Sequence, residues 1–165
     1  MPYVSGRICH DADSHVMETR EWLAPYLDAE LSEKLVPLYG RKRNRIDDLL
    51  DDAKKRKSDE AARMKAAENP IAGPKGWSAF GAFDGEERKA LLDVLGFSSQ
   101  LVFPTASLTP ALATKDEDLM YRGARAHNRA MGAFCASDPR LIGVAYVPLN
   151  NPERALEELD AALDA

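Results

Sequence analysis

Acidic and imidazole side chains alternate near the start of the chain, in the stretch Asp11-Ala12-Asp13-Ser14-His15. In an extended strand, side chains two residues apart share a face, so this spacing predicts that Asp11, Asp13 and His15 project from the same side. Carboxylate oxygen and imidazole nitrogen are ordinary ligands of Zn²⁺, and they also bind Mn²⁺ and Fe²⁺. Asp13 and His15 are therefore candidate ligands of one divalent metal, which would be Zn²⁺, Mn²⁺ or Fe²⁺. The alternative is a solvated turn in which Asp13 and Ser14 cap the segment that follows.

A catalytic metal needs about three protein ligands and an open position for water. The other candidates in the chain are weaker than Asp13 and His15. His10 is expected on the opposite strand face from His15, and Glu18 is a possible stand-in. His127 lies on the apolar stripe of a predicted helix, which favours a buried core histidine over a ligand. The sequence therefore predicts half of a metal site and identifies no catalytic residue.

Strands and helices alternate along the chain, and their order predicts how the candidate ligands are positioned. The apolar runs at 99–105 and 141–148 are stopped by proline, which is typical of buried parallel strands. Alternation with helices predicts an α/β fold in which right-handed crossovers join parallel strands. Active groups in such folds lie at the carboxyl ends of strands, where Asp13 and His15 are, and this favours the metal interpretation. The predicted helices run from an Asp84 cap to Gly96, from a box-like start at Thr114 and Glu117 to about Ser137, and from Asn151-Pro152 along a stripe of Leu156, Leu159 and Leu163.

A long helical insertion is predicted between the first and second strands, over residues 19–83. Within it, residues 41–68 carry ten Lys or Arg against seven Asp or Glu. We interpret them as a solvent-facing helix, with a basic patch for an anionic partner as the alternative. The loop at 69–76 is rich in proline and glycine and leads to Trp77 and Phe80, which either cover a site or pack as a plug.

The composition is that of a globular protein with a core of its own, since 45% of the 165 residues are hydrophobic and 30% are charged. A net charge of −5 argues against nucleic-acid binding. No apolar run approaches the roughly 18 residues of a membrane helix, and no signal-peptide pattern is present. Cys9 and Cys135 are expected to be free thiols in a reducing compartment. We therefore expect a cytoplasmic protein.

The motifs and their order resemble the amidohydrolase-related family, which contains metal-dependent hydrolases and the aminocarboxymuconate-semialdehyde and resorcylate type decarboxylases. Residues 11–18 are similar to the family's opening D-x-D-x-H-V-x-E signature, and residues 101–105 to its second strand. Residues 127–135 and 138–145 are similar to its third unit, and residues 151–163 to the helix that follows. The resemblance extends over nearly the whole chain.

The resemblance implies a (β/α)₈ barrel with one divalent metal, in which Asp13 and His15 are the first-strand ligands. Related enzymes draw a further histidine from near the fifth strand and an aspartate from the eighth. Only about the first three β/α units are matched here, whereas a whole barrel has about 250 residues. Residues 1–165 are therefore expected to be the N-terminal part of a single barrel, a partial TIM barrel with a long insertion after strand 1. Because such a part leaves strand edges and apolar surface uncovered, we expect a homo-oligomer or association with the missing C-terminal half.

The function implied by the resemblance is hydrolysis of a C–N or C–O bond in a small substrate by metal-activated water, with this chain inactive on its own. Phe103, Pro104 and Thr105 would line the substrate side at the end of the second strand, and Trp77 with Phe80 would belong to a covering loop. Two alternatives stay open. One is metal-dependent decarboxylation of a small aromatic or unsaturated carboxylic acid. The other is a non-catalytic, truncated association module.

Overall fold

Three parallel strands form the sheet of this protein, in a computed structural model that describes residues 2–34, 43–106 and 114–165. Consecutive strands are neighbours, and both pairings are parallel. The predicted mixed α/β fold with a parallel sheet is therefore confirmed. The strands are β1 (His10–His15), β2 (Ser99–Phe103) and β3 (Leu141–Gly143), in the order β1-β2-β3.

Helices connect the strands and supply the crossovers that parallel pairing requires. The first four of them fall within the predicted insertion at 19–83. The first residues of the predicted basic segment, Arg41 and Lys42, lie outside the described residues. The helices are α1 (Arg20–Leu23), α2 (Ala29–Lys34), α3 (Arg43–Ser58), α4 (Glu60–Glu68), α5 (Gly85–Leu95), α6 (Glu117–Cys135) and α7 (Pro152–Leu163), with 3₁₀ turns at Ala24–Tyr26 and Gly76–Ser78.

Helix α5 begins and ends where its capping residues predict. The Asp84 carboxylate accepts the backbone N–H of Glu87 at 3.0 Å, which satisfies one of the free donors of the first turn. Gly96 closes the helix in the left-handed conformation, with φ +81°, and its N–H donates to Leu92 O at 2.7 Å. The Asn151 carboxamide oxygen likewise accepts from the first turn of α7, as predicted.

Helix α6 begins at Glu117, as predicted, but its capping residue differs from the prediction. Its N-cap is Asp116, whose carboxylate accepts the N–H of Leu119 at 3.1 Å, rather than Thr114. The Thr114 hydroxyl instead accepts the N–H of Asp116 at 3.1 Å, just before the helix. Both side chains bind nearby backbone N–H groups, and aspartate is the stronger cap of the two because its acceptor is charged.

Within residues 2–34, 43–106 and 114–165, helices cover one face of the sheet and leave the other open. Val102 is fully buried on the covered face, whereas Leu101 and Ile142 are 36% and 49% exposed on the open face. Side chains of successive strand residues point to opposite faces, so this difference between Leu101 and Val102 follows from the pleat. The core on the covered face consists of Val16, Leu92, Val102, Met131, Phe134 and Leu141.

Helix α7 exposes the leucine stripe that the sequence identifies. Leu156 and Leu163 are 65% and 77% exposed, and Leu159 is 42% exposed. The buried face of α7 carries Ala155 and Glu158 instead. Glu158 is fully buried because its two carboxylate oxygens accept from Arg125 and Asn128 of α6 at 2.9 Å.

The basic residues of α3 whose side chains are described lie in ion pairs. Lys54 Nζ donates to Glu21 Oε1 at 2.9 Å, and Lys55 pairs with Asp52. Lys57 pairs with Asp84 of α5. This pairing supports a solvated charged face over a free basic patch for this part of the segment.

Two further predictions concern the cysteines and membrane crossing. Cys9 and Cys135 are free thiols, as predicted. Among the described residues, no helix combines the length and the apolar character that a bilayer crossing requires.

Candidate metal centre

Strand β1 carries one residue more than the part of β2 with which it pairs. Three residue steps separate Asp11 from Ser14, but their partners on β2 are only two steps apart. This is a β-bulge, and it interrupts the alternation of faces along β1. The Cα partners are His10 with Ser99, Asp11 with Gln100, Ser14 with Val102 and His15 with Phe103.

The bulge places Asp11 on the covered face of the sheet, so the prediction that it shares a side with Asp13 and His15 is wrong. Asp11 Oδ2 accepts from Gln100 Nε2 at 3.0 Å, and Gln100 is only 2% exposed. Ser14 is also buried on this face. Residue spacing predicts the face of a side chain only in an uninterrupted strand, and the bulge interrupts β1 between Asp11 and Ser14.

The bulge also reverses the prediction for His10. His10 and His15 pair with Ser99 and Phe103, which lie four residues apart on β2 and therefore on the same face. His10 thus lies on the open face, but at the amino end of the sheet, where its Nδ1 is 2.8 Å from Ser99 Oγ. His10 therefore shares a sheet face with His15 but lies at the opposite end of β1.

His15 lies at the carboxyl end of β1 with its ring fixed by the end of β2. Its Nδ1 is 3.0 Å from the carbonyl oxygen of Pro104. A carbonyl oxygen can only accept, so Nδ1 carries the hydrogen and the neutral ring has its lone pair on Nε2. Nε2 in turn lies 3.4 Å from Asp13 Oδ1. We call Asp13 and His15, with these two atoms facing each other, the half-site.

The half-site matches two positions of a four-coordinate metal. Zinc binds histidine nitrogen and carboxylate oxygen at about 2.0–2.2 Å, and a tetrahedral angle then separates two such ligand atoms by roughly 3.4 Å. The separation of Nε2 and Oδ1 is 3.4 Å. Histidine ligands usually donate their other ring N–H to a backbone carbonyl or a carboxylate, as His15 does to Pro104. Within the described residues no group of three or more His, Cys, Asp and Glu side chains is placed to hold a metal ion.

Glu18 holds the chain that follows β2. It is fully buried, and its two carboxylate oxygens accept the backbone N–H groups of Thr105 and Ala106 at 2.9 and 3.0 Å. Pro104, which accepts from His15, directly precedes these residues. Glu18 therefore acts on the half-site indirectly, by fixing the position of the Pro104 carbonyl.

His127 is a core residue, as predicted. It is fully buried in α6, and its ring centroid lies 5.9 Å from that of Trp22. Burial lowers the pKa of His127 to about 4, although the nearby Glu18 carboxylate favours the charged form. Its imidazole is therefore neutral at neutral pH.

The residues predicted to line the substrate side lie beside His15. The Phe103 ring is tilted by 33° against the His15 ring, with the centroids 5.8 Å apart. Pro104 contributes its carbonyl oxygen, and Thr105 Oγ1 lies 3.4 Å from His15 Nδ1. The structure thus brings Phe103, Pro104 and Thr105 together with the half-site.

Trp77 and Phe80 make packing contacts. The Trp77 indole N–H donates to the Glu18 carbonyl oxygen at 3.1 Å, and its ring packs with Leu50 of α3. Phe80 is only 8% exposed, with the Arg56 guanidinium 6.0 Å from its ring centroid. These contacts support the interpretation that Trp77 and Phe80 pack against the protein core, rather than the interpretation that they cover a site.

Arg88 of α5 is a charged residue at this site that sequence reasoning missed. It is 4% exposed and donates to Ser14 Oγ at 2.6 Å, to His15 O at 2.7 Å and to Gly81 O at 2.6 Å. Helical spacing indicates that Arg88 is buried, because it lies four residues before the fully buried Leu92 and therefore on the same face of α5.

Comparison with known proteins adds no family to these observations. No protein-family model matches the chain, and no curated protein matches it.

Proposed function

We propose that this protein is a metal-dependent hydrolase of the amidohydrolase type, in which Asp13 and His15 are two ligands of one divalent metal, with zinc as the expected ion. The substrate is a small molecule with a hydrolysable C–N or C–O bond. The observation that carries the proposal is the 3.4 Å separation of His15 Nε2 and Asp13 Oδ1, with Nδ1 engaged by a backbone carbonyl.

The proposal includes the fold expected from the resemblance, a partial (β/α)₈ barrel. Its support is the parallel order β1-β2-β3 with helices on one face only. In a barrel the other face lines the interior, and here that face carries the half-site together with Leu101 and Ile142. The remaining metal ligands would come from an associated chain.

A bound divalent metal would lower the pKa of its water to about 7 and polarise a substrate oxygen. The residues of this chain prepare that position. The Pro104 carbonyl keeps the hydrogen of His15 on Nδ1, so that Nε2 is free to bind. Asp13 contributes negative charge beside it, and Phe103 forms an apolar wall along one side of the His15 ring. Decarboxylation of a small carboxylic acid would use the same half-site.

Metal titration of the purified chain tests the proposal. We expect saturable binding of Zn²⁺ or Co²⁺, measured by calorimetry, and its loss in His15→Ala and Asp13→Ala. His10→Ala is the matched control, because it removes an exposed histidine from the same sheet face at the other end of β1. Binding by His15→Ala as tight as that of the unchanged protein would contradict the assignment, and so would loss of binding in His10→Ala alone.

A second candidate function is association, and the exposed stripe of α7 favours it. Leu156, Leu159 and Leu163 are aligned on one side of the helix, and Leu101 and Ile142 are exposed on the open face of the sheet. Apolar side chains exposed in groups mark interaction surfaces more often than singly exposed ones do. In this candidate the chain is an association module, and the half-site is a remnant without catalysis.

A further inference from the structure

Arg88 joins three separate parts of the chain at the carboxyl end of β1. Its Nη1 and Nη2 donate to Ser14 Oγ and His15 O, and its Nε donates to Gly81 O in the loop before α5. Nη1 also lies 3.5 Å from the Oε1 atom of Gln100 on β2. Gly81 itself has φ +71°, and a Cβ at this position would lie 2.8 Å from the Cα of Arg88, so the backbones of the loop and of α5 are in direct contact.

The guanidinium remains charged although it is buried. Burial lowers the pKa of Arg88 to about 10, which still leaves the group protonated at neutral pH. Its hydrogen-bond partners among the described residues are carbonyl and side-chain oxygens. Gln100 connects it to Asp11 through a 3.0 Å hydrogen bond. A buried cation is costly unless its donors are bound, and here the bonds go to the backbone next to the half-site.

The bond to His15 lies on the edge of β1 that faces away from β2. Val16 N–H donates to Phe103 O, so the backbone N–H and C=O of Val16 point towards β2. Neighbouring residues of a strand direct these groups to opposite edges, which places those of His15 and Met17 on the outer edge. There Arg88 binds His15 O, and Ala82 O accepts the N–H of Met17 at 2.8 Å.

We propose that Arg88 is a positioning residue for the half-site. Arg88 binds the His15 carbonyl and the Ser14 hydroxyl and thereby fixes the carboxyl end of β1. In this position the His15 ring directs Nδ1 towards the Pro104 carbonyl and Nε2 towards Asp13. The orientation of the ring is a property of the metal-free protein. Its consequence for metal affinity rests on the proposed function.

The tautomer of His15 in the metal-free protein is the first readout. Long-range ¹H–¹⁵N spectra of the neutral ring, recorded at alkaline pH, distinguish Nδ1–H from Nε2–H. We expect only the Nδ1–H form in the unchanged protein and a mixture in Arg88→Lys, since a single ammonium group cannot reach all the acceptors of the guanidinium. Arg140→Lys is the matched control, because Arg140 binds Asp138 and Asp93 at the start of β3.

An Arg88→Lys spectrum identical to that of the unchanged protein would overturn the proposal, as would an equal mixture in Arg140→Lys. If Arg88→Lys does not fold, Ser14→Ala carries the test, because it removes one acceptor of Arg88 and changes a buried side chain by a single oxygen. A mixture of the two His15 tautomers in Ser14→Ala supports the proposal, whereas a spectrum with only the Nδ1–H form contradicts it.

Metal affinity is the second readout and separates this inference from the proposed function. Loss of a residue that supports a metal ligand costs about 10–100-fold in metal affinity, so we expect Co²⁺ to bind that much more weakly to Arg88→Lys than to Arg140→Lys. If the unchanged protein does not bind Co²⁺ or Zn²⁺, the proposed function fails, and the tautomer spectra still decide the role of Arg88.

Discussion

At the scale of single residues, two buried charges determine where His15 lies. Arg88 holds the carbonyl of His15 itself, and Glu18 holds the two N–H groups that follow Pro104, the acceptor of the ring. Asp13 and His15 are the residues with recognisable ligand chemistry, but they lie at the exposed end of the strand. The geometry of the half-site therefore depends on neighbours that do not belong to it.

Glu18→Gln tests the role of the Glu18 carboxylate. The amide keeps the shape but has one oxygen, so one of the N–H groups of Thr105 and Ala106 loses its acceptor. An unsatisfied buried donor costs about 1–3 kcal/mol, and we expect the free energy of unfolding in urea to fall by that amount. Glu21→Gln, at a side chain that is 70% exposed, should change it by less than about 0.5 kcal/mol. Equal effects of the two variants would contradict the role of Glu18.

His127 makes stability depend on pH. Its pKa is about 4 in the folded protein, below the ordinary value of 6.5. Between these values the unfolded chain binds the proton and the folded chain does not, so the free energy of unfolding decreases as the pH falls from about 6.5 to 4. The full difference corresponds to about 3 kcal/mol.

Urea unfolding at a series of pH values measures this dependence, and His127→Gln is the reference, because it removes the titrating group and keeps a polar side chain of similar size. We expect the decrease between pH 6.5 and 4 to be smaller in His127→Gln than in the unchanged protein. Parallel curves for the two proteins would show that another group is responsible.

At the scale of elements, local signals in the sequence predict the structure better than distant ones do. The N-cap at Asp84 depends on the backbone N–H of Glu87, only three residues away, and the local residue pattern is enough to predict this cap. The bulge in β1 depends on pairing with β2, which lies 89 residues further along the chain, and nothing in the spacing of Asp11 and Asp13 reveals it. For the same reason Arg88, whose partner Ser14 is 74 residues away, was missed.

The loop before α5 gives a prediction at this scale. Gly81 and Gly76 both have positive φ, but a Cβ at Gly81 would lie 2.8 Å from Arg88 Cα, whereas a Cβ at Gly76 would have no neighbour within 4 Å. Alanine at either position carries the cost of the left-handed backbone. The overpacking against α5 adds about 1–3 kcal/mol for Gly81→Ala alone. Thermal or urea unfolding of the two variants measures this difference, and a Gly81→Ala variant no less stable than Gly76→Ala would refute the close contact.

At the scale of the whole molecule, the described residues form a three-stranded parallel sheet with one face covered by helices. Strand order and helix positions follow from hydrophobic pattern and capping, so the sequence predicts them. The half-site also follows from residue types and strand position. The contacts of Arg88 and Glu18 with the ends of β1 and β2 do not follow, because they join residues that are distant in the sequence and neither spacing nor composition encodes them.

Association through α7 is testable by sedimentation. We expect the unchanged chain to self-associate, and Leu159→Glu to shift it towards the monomer, because the substitution places a charge within the leucine stripe. Met64→Glu is the matched control, since Met64 is 65% exposed on α4, in the insertion. A monomer at all concentrations in the unchanged chain, or an equal shift in Met64→Glu, would exclude α7 as the contact.

The hydrogen bonds at the outer edge of β1 have a consequence for polymerisation. A head-to-tail filament of such sheets requires the β3 edge of one molecule to pair with the β1 edge of the next. At the carboxyl end of β1 the His15 carbonyl is already bound by Arg88, and the Met17 N–H by Ala82. A further strand can therefore pair only with the part of the β1 outer edge that precedes His15, and this shortened edge disfavours open-ended growth into fibres.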